Sequence, residues 1–398
     1  MKKRKDEYTK VAAVGMDVHY KFTTVAMRDE KSRLVRRERL DHHDRGQLRQ
    51  VLSRWPKEAR FVMEASFGWG WLADLMEEVG LQPELSNCFK VEKMRKARGE
   101  PKTNKRDAGL TSRLPFETDE WWKVWLAPPE VRDRREWMRH RTSLVGVQQS
   151  TKNRITAVLH RHGIIHEFSD LFGVGGRKFL DELRREGRVG EVFLPSGAWT
   201  ALDDLLSLLD HARGQLAAIA RELRKQLERT PLAKRLDGIP GFGLILVHTL
   251  IAEIGEIERF ASHRHLASYS GLAPMASDTG ESDGKAPLGR HLPPRVNRTL
   301  KWAFIEAAHG AVRTGGRWRE MFDAATNNGK KNRGRGYIKV ARELVKVVYA
   351  MWTKGTEYMD KPPSRPGSKS ARSRGRRSQD TRSGTGQFYR PMVPASQA

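Results

Sequence analysis

Residues 11–27, VAAVGMDVHYKFTTVAM, read as a strand, a short turn and a second strand, and the fold of the first part of the chain follows from them. Asp17 stands at the end of the apolar run Val11 to Met16. A carboxylate buried there is costly unless it is paired or bound to a metal, so the acid marks a place with a purpose. Outward from this pair the strand pattern continues. LVRRERL (34–40) reads as a third strand and RFVMEAS (60–66) as a fourth, followed by the helix GWGWLADLMEEVG (68–80) and then by LQPELSN (81–87). Three consecutive strands and then β–α–β units predict a mixed sheet flanked by helices over residues 11–128, after a basic arm at 1–10.

The charge balance points to the partner. The 398 residues carry 74 Lys+Arg against 48 Asp+Glu, a net charge of +26. Such a surplus suits a polyanion, and nucleic acid first, because phosphate contacts release counterions and give affinity without regard to sequence. An anionic membrane is the competing partner, but no basic amphipathic helix stands out, and no apolar run of about 18 residues could span a bilayer. The start, MKKRKDEYTK, leads into a strand rather than a signal-peptide apolar region. Cys88 is the only cysteine, which removes an intramolecular disulfide or a cysteine zinc cluster. The expectation is a soluble, cytoplasmic protein with no membrane partner.

Beyond residue 128 the period becomes helical. Between 129 and 234, Trp137, Leu144, Val147, Ile155, Val158 and Leu159 share one face of a first helix. Leu202, Leu205, Leu206, Leu209, Leu216, Ile219, Leu223 and Leu227 line a second. These two helices are expected to pack as a coiled-coil linker, against each other or against another protomer. His160, His162 and His166 lie in HRHGIIH without neighbouring carboxylates or cysteines, and read as a helix end rather than a zinc site. Trp121, Trp122 and Trp125 read as linker packing. A further helical domain is expected over 235–360, opened by LDGIPGFGLILVHTLIAEIG and closed by YIKVARELVKVVYAMW. Residues 361–398 are basic and nearly devoid of apolar side chains up to Gln387, the composition of a disordered tail that adds phosphate affinity.

Three features could carry chemistry. Glu64 follows Phe61, Val62 and Met63 at a strand end, as Asp17 does, and Asp107 falls near the start of a helix in PKTNKRDAGLTSRL. Singly, each acid also reads as a solvated strand end or helix cap; converging, the three make a hard-oxygen site for Mg²⁺, which activates and orients a phosphodiester. The second feature is IPGFG, residues 239–243. Ile239, Gly241 and Gly243 fit a helix-hairpin-helix whose turn offers backbone N–H groups to phosphate, or an ordinary turn between helices; the basic composition favours the former. The third is the loop GLAPMASDTGESDGKAPLGRH (271–291), where Ser277, Thr279 and Ser282 stand among Lys285, Arg290 and His291. A hydroxyl there could attack a phosphate, although such residues usually form turns.

The order of these acids, together with RLDGIPGFG, LVHTLIAEIGEIERFASHRHLASYSGLAP, the SDTG loop, the NRTLKWAFIEAA helix and the final VARELVKVVYAM helix, resembles the DEDD-type insertion-sequence transposases, the IS110 family. The likeness runs to about Tyr358. It implies a RuvC-like, ribonuclease-H-type α/β domain, a helical linker that assembles dimers into a tetramer, and an all-α C-terminal transposase domain. It implies DNA recombination guided by a structured bridge RNA, an acidic tetrad holding Mg²⁺, a serine nucleophile, and a nucleoid-associated bacterial protein. Position by position, the acids fall on Asp17, Glu64 and Asp107. Asn104 stands where the family's pattern has a further acid; its amide oxygen can ligate but brings no charge. Thr279 stands where the family has serine before glycine. Either Thr279 is the nucleophile, or Ser277 or Ser282 has taken the role, or activity is lost; Thr279 is favoured. The expected activity is Mg²⁺-dependent transesterification on DNA, with Lys285 and Arg290 steadying phosphate charge. Its rivals are a hydrolytic RuvC-like nuclease on branched DNA and a decayed, nucleic-acid-binding transposase.

Overall fold

The computed structural model describes residue 8 and residues 10–99, 104–117, 119–273 and 296–360. It opens with the strands read in the sequence: β1 (Ala13–Val18), β2 (Phe22–Arg28) and β3 (Leu34–Asp41), then the helix α1 (Arg45–Leu52), β4 (Arg60–Glu64), α2 (Trp69–Glu78), β5 (Pro83–Ser86), α3 (Cys88–Ala97), α4 (Asn104–Thr111) and the short β6 (Lys123–Val124). These strands form one sheet of order β3-β2-β1-β4-β5-β6. β1, β2 and β3 run antiparallel, whereas β4 and β5 continue from β1 in parallel, each reached through a helical crossover. The meander-then-crossover pattern explains the mixed sheet: short turns permit antiparallel neighbours, and parallel ones require helices.

Alternation along the strands separates two faces. Val14, Met16, Val18, Phe61 and Met63 join Leu48, Leu52, Leu72, Leu75 and Met76 in a core beneath α1 and α2. The opposite face buries Val62 with Val91, Leu110, Leu114 and Trp122, beneath α3 and α4.

Two long helices follow, α5 (Pro129–Arg161) and α7 (Ser196–Arg229), with α6 (Val174–Glu186) and a two-residue hairpin, β7 (Arg188–Val189) and β8 (Val192–Phe193), between them. Ile155, Val158 and Leu159 of α5 pack with Leu202, Leu205, Leu206 and Leu209 near the start of α7. Met138 near the start of α5 packs with Ile219 and Leu223 near the end of α7. The two therefore lie antiparallel within the chain. Not every apolar residue expected on the α5 seam is covered: Trp137 and Val147 remain exposed. The buried positions of α5 are Val131 and Met138 toward one end and Thr151, Ile155, Val158 and Leu159 toward the other, so the stretch between is left uncovered.

Among the described residues, the last region is built from helices: α8 (Pro231–Asp237), α9 (Leu244–Ile254), α10 (His263–Tyr269), α11 (Arg298–Thr314), α12 (Gly316–Thr326) and α13 (Arg333–Lys354). Val247, Leu250 and Ile254 of α9, Ala303, Phe304, Ala307 and Ala311 of α11, and Leu344, Val345 and Val348 of α13 share its core. Alanines on α11 keep that helix close to its neighbours. Ala252 of α9 also meets Met138, Ile219 and Leu223, so the long helices pack on this region too. No helix among the described residues is long and apolar enough to cross a membrane.

Candidate active site

The face of the sheet away from the α1–α2 core carries the acids. Gly15 and Asp17 are two residues apart on β1 and share that face. The parallel register pairs Gly15 with Val62 and Met16 with Met63, so Glu64 comes level with Asp17 on the same side. α4 crosses this face in direct backbone contact with β1. A Cβ on Gly15 would sit 2.1 Å from the Ser112 nitrogen and 2.4 Å from the Ala108 carbonyl oxygen, so only glycine lets the helix lie there. The close approach delivers Asp107, and Asp17, Glu64 and Asp107 line one open cavity of about 1050 Å³. Glu64 and Asp107 share a second, smaller recess with Glu92, Arg95 and Thr111.

α4 is held from behind by a buried cation. Arg28, on β2, donates from Nε to Ser112 Oγ (2.8 Å), from Nη2 to the Gly109 carbonyl (3.2 Å) and from Nη1 to the Ser32 carbonyl (2.6 Å). It thus satisfies one carbonyl, that of Gly109, near the end of α4, where the helix dipole favours a positive group. Burial, and then the charges of Arg113 and Arg37, push the Arg28 pKa below its ordinary value. Neither Gly15 nor Arg28 drew notice in the sequence. Gly15 looks like any strand glycine, and the only signal for Arg28 was a cation closing an otherwise uncharged strand, FTTVAMR.

The cavity rim is cationic and aromatic. It includes His19, Lys21, His42, His43 and Arg45, with Tyr20, Phe67 and Trp71. Tyr20 is 94% exposed and Phe67 98% exposed, unusual for rings of that size. His19 Nε2 approaches Asp17 Oδ2 to 2.9 Å, a charge contact when the ring is protonated. His42 is held by Thr23 Oγ1 (2.8 Å) and the Tyr20 carbonyl (3.2 Å), edge-on to Trp71, and burial keeps its pKa below the ordinary histidine value. Arg45 lies over the Trp71 ring at 4.7 Å.

The three carboxylates supply hard oxygen donors of the kind Mg²⁺ takes. As they stand, no group of three acidic, histidine or cysteine side chains among the described residues is drawn together closely enough to coordinate an ion. Asn104 is the first residue of α4. Ser277, Thr279, Ser282, Lys285 and Arg290 lie outside the described residues. The chain on either side of their segment is pinned together: the Asn297 amide donates to the Tyr269 carbonyl (2.9 Å), and Gly271 lies against Val296. Asn297 also caps α11 through Leu300 and donates to the buried Glu253 at 2.7 Å. Arg135 and Arg139 of α5 approach the same carboxylate at 3.9 and 3.7 Å.

The 239–243 segment forms the turn between α8 and α9. Ile239 is buried in the core, so its side chain meets protein. Gly241 adopts φ +90° with its Cα packed on α11, where a Cβ would stand 2.0 Å from the Ala307 carbonyl oxygen. Gly243 is exposed at the start of α9, whose first-turn N–H groups lack intrahelical partners.

Acids converging at strand ends, inside a rim of cations and exposed rings on a chain of charge +26, are features of a protein that works on nucleic acid. Comparison with known proteins gives the family. A transposase family profile of the DEDD type of IS110 matches residues 14–164, and the profile "Transposase IS116/IS110/IS902 family" matches residues 233–323. The chain belongs to the IS110 family of insertion-sequence transposases. It is 31% identical over 160 residues to the 43.6 kDa protein of insertion element IS110 from Streptomyces coelicolor, a match covering 40% of this chain and 38% of that one. It is 30% identical over 149 residues to the 44.8 kDa protein of IS116 from Streptomyces clavuligerus, covering 36% and 35%. A 79-residue stretch is 38% identical to the pilin gene-inverting protein of Moraxella bovis, covering 20% and 23%. The chain thus spans under two fifths of the length of the first two relatives.

Proposed function

We propose that the protein is the transposase of an insertion sequence, cutting and rejoining DNA by transesterification. The observation that carries the reading is the shared cavity of Asp17, Glu64 and Asp107 on the α4 face of the sheet. Sheet order and strand directions support a RuvC-like, ribonuclease-H-type domain over residues 11–128, followed by a helical linker (129–234) and a C-terminal domain (235–360). Asp17, Glu64 and Asp107, with Asn104 assisting, would hold a divalent cation, Mg²⁺ by donor type, which when bound polarises the scissile phosphate and stabilises its developing charge. Thr279 is the nucleophile: its hydroxyl oxygen bonds to phosphorus and loses its proton as the sugar oxygen on the far side leaves with the bond electrons. Lys285 and Arg290 oppose the phosphate charge. The α8–α9 turn through Gly241 and Gly243 meets backbone phosphate with N–H groups, and the exposed Tyr20 and Phe67 stack on bases beside the cut.

Target choice by a structured bridge RNA, assembly into dimers or tetramers, and a cytoplasmic, nucleoid-associated location complete the reading. The relative named for inverting a pilin gene supports recombination over simple hydrolysis. The test is a trapping assay with the full chain, the element's flanking RNA, Mg²⁺ and a nicked donor–target DNA pair. After denaturation and digestion, a DNA-linked peptide containing Thr279 is expected. DNA cut without an adduct would replace the reading by a hydrolytic nuclease. Binding without cutting or adduct would leave a decayed copy, to which Asn104 and Thr279 already lend weight.

A further inference from the structure

Between Asp323 and Glu343 the chain has no acid and six cations: Lys330, Lys331, Arg333, Arg335, Lys339 and Arg342, all exposed. Ion pairs close the run at its two ends, Arg319 with Asp323 and Lys346 with Glu343. Among the described residues no carboxylate pairs with the cations between them. Their placement follows from α13. Arg335, Lys339 and Arg342 recur at spacings of four and three, so they form one exposed ridge about 10 Å long on the helix. The other side of α13, through Val340, Ala341, Leu344 and Val348, is sealed in the core. Gly336 lets the start of the helix lie against α12: a Cβ there would stand 2.6 Å from Thr326 Cγ2 and 2.7 Å from Phe322 Cδ2. The turn leading in is held as well. Asn327, Asn328 and Gly329 take φ of 51°, 53° and 80°, the Lys331 amide donates to the Thr326 carbonyl (2.7 Å), and Asn332 caps the helix through the Gly334 amide (2.9 Å). The cations thus stand on a backbone that a ligand need not order.

What such a ridge fits is decided by what flanks it. A membrane would need apolar side chains to insert beside the charges, and those of α13 face the core. A single strand would need open aromatic faces for its bases. Tyr337, the one ring in the run, is covered by His309 at 3.6 Å and by Phe322 at 4.6 Å. Phosphate is left to recognise, and guanidinium forks and ammonium groups are suited to it. We infer that the ridge of α13, with the lysines of the turn before it, docks the sugar–phosphate backbone of duplex DNA. The contact is to phosphates and carries no sequence preference. It rests on the proposed function for DNA as the polymer, and it adds a further place where the duplex is held, since none of these residues belongs to the acidic cavity.

The test uses the full chain, the double variant Lys339→Ala/Arg342→Ala, and Arg221→Ala/Arg224→Ala on exposed positions of α7, which removes the same charge elsewhere. Alanine favours a helix, and both variants are expected to melt with wild type. Should alanine lower the melting temperature, Lys339→Gln/Arg342→Gln repeats the charge loss with long polar side chains. Affinity for a duplex of unrelated sequence, and for one carrying the element's end, is measured by fluorescence anisotropy against salt. The ridge variant is expected to lower the log–log slope on both by about 1.8, at about 0.9 per phosphate contact, and the α7 variant to keep the wild-type slope. An unchanged slope in the ridge variant, or an equal fall in the α7 control, overturns the inference while the proposed function stands. A fall confined to the element's end overturns a phosphate-only contact, and a fall seen only with the element's structured RNA overturns duplex DNA as the partner. Wild type that binds no duplex overturns both the inference and the proposed function.

Discussion

Gly15→Ala tests the geometry that brings the acids together. The added Cβ would meet the Ser112 nitrogen at 2.1 Å, the Ala108 carbonyl oxygen at 2.4 Å and the Ser112 Cα at 2.6 Å, whereas ordinary contact begins at 3.4 Å. All three obstacles are backbone atoms, so no rotamer change relieves them; α4 must withdraw from β1 by about 1 Å. Overpacking of this kind costs about 1–3 kcal/mol, which the sheet and its α1–α2 core should survive. Asp107 withdraws with α4, and a misplacement of about 1 Å at a reacting centre costs on the order of 100-fold in rate. The expected result is a folded protein with a melting temperature lowered by several degrees and strand exchange lowered by about two orders of magnitude. Ser112→Gly should not rescue it, because the clash is with backbone and the change removes a partner of Arg28. Recombination of a two-site plasmid, alongside thermal melting, reads both effects. Wild-type exchange by a stably folded Gly15→Ala protein would refute the claim that α4 delivers a catalytic acid.

Tyr20→Ala and Phe67→Ala should each weaken binding of DNA with unpaired bases by about 1–3 kcal/mol, the range for a stacked base, with little effect on a fully paired duplex; fluorescence anisotropy checks this, and equal loss on both substrates would sink the stacking role. Glu253→Ala should destabilise the protein by about 3–5 kcal/mol, since Arg135 and Asn297 lose a buried partner; urea unfolding measures it, and a change under about 1 kcal/mol would mean the acid is dispensable. His248 is buried, its Nε2 2.7 Å from the Leu223 carbonyl, and burial holds its pKa below the ordinary histidine value of about 6.5. Below about pH 6.5 the unfolded chain therefore takes up a proton that the folded one refuses, and stability must fall as pH drops through that region. Melting curves from pH 7.5 to 5.5 should show a shallower fall for His248→Gln, with the similarly shifted His42 still contributing; parallel curves would count against the assignment.

The sheet was legible because its signal is local. Alternation of Val14, Met16 and Val18 with Gly15 and Asp17, and of Phe61 and Met63 with Val62 and Glu64, carries both the strands and their two faces in a few residues each. The strand-end acids were legible for the same reason, as polar residues closing apolar runs. What joins them was not. The meeting of α4 with β1 depends on the absence of a side chain at Gly15 and on a bond between Arg28 and Ser112, 84 positions apart in sequence. No periodicity records such a pair. The same limit hid the glycine contact in the 239–243 turn, where Gly241 meets α11 across more than sixty residues. It also explains Trp137 and Val147, since helical spacing tells which residues share a stripe but not which part of the stripe a partner covers.

The start of α5 ties the acids to the segment proposed to carry the nucleophile. Arg132 pairs with Asp74 of α2 and lies over the Trp69 ring, contacts that belong to the sheet region. One turn later Arg135 donates to the carbonyls of Ala252 and Glu253 at the end of α9, and its guanidinium lies over Trp125. Arg259 covers the same ring and donates to the Ile254 carbonyl, so two cations cap one helix end across one indole. Through Glu253 this cluster reaches Asn297, where the chain leaves the segment holding Thr279. Two turns of a single helix thus touch both halves of the proposed chemistry. A rigid element that bridges them fixes how far the base of the segment stands from the acidic face within one protomer. That fixed spacing decides whether Thr279 can serve the acids of its own chain or must serve those of another.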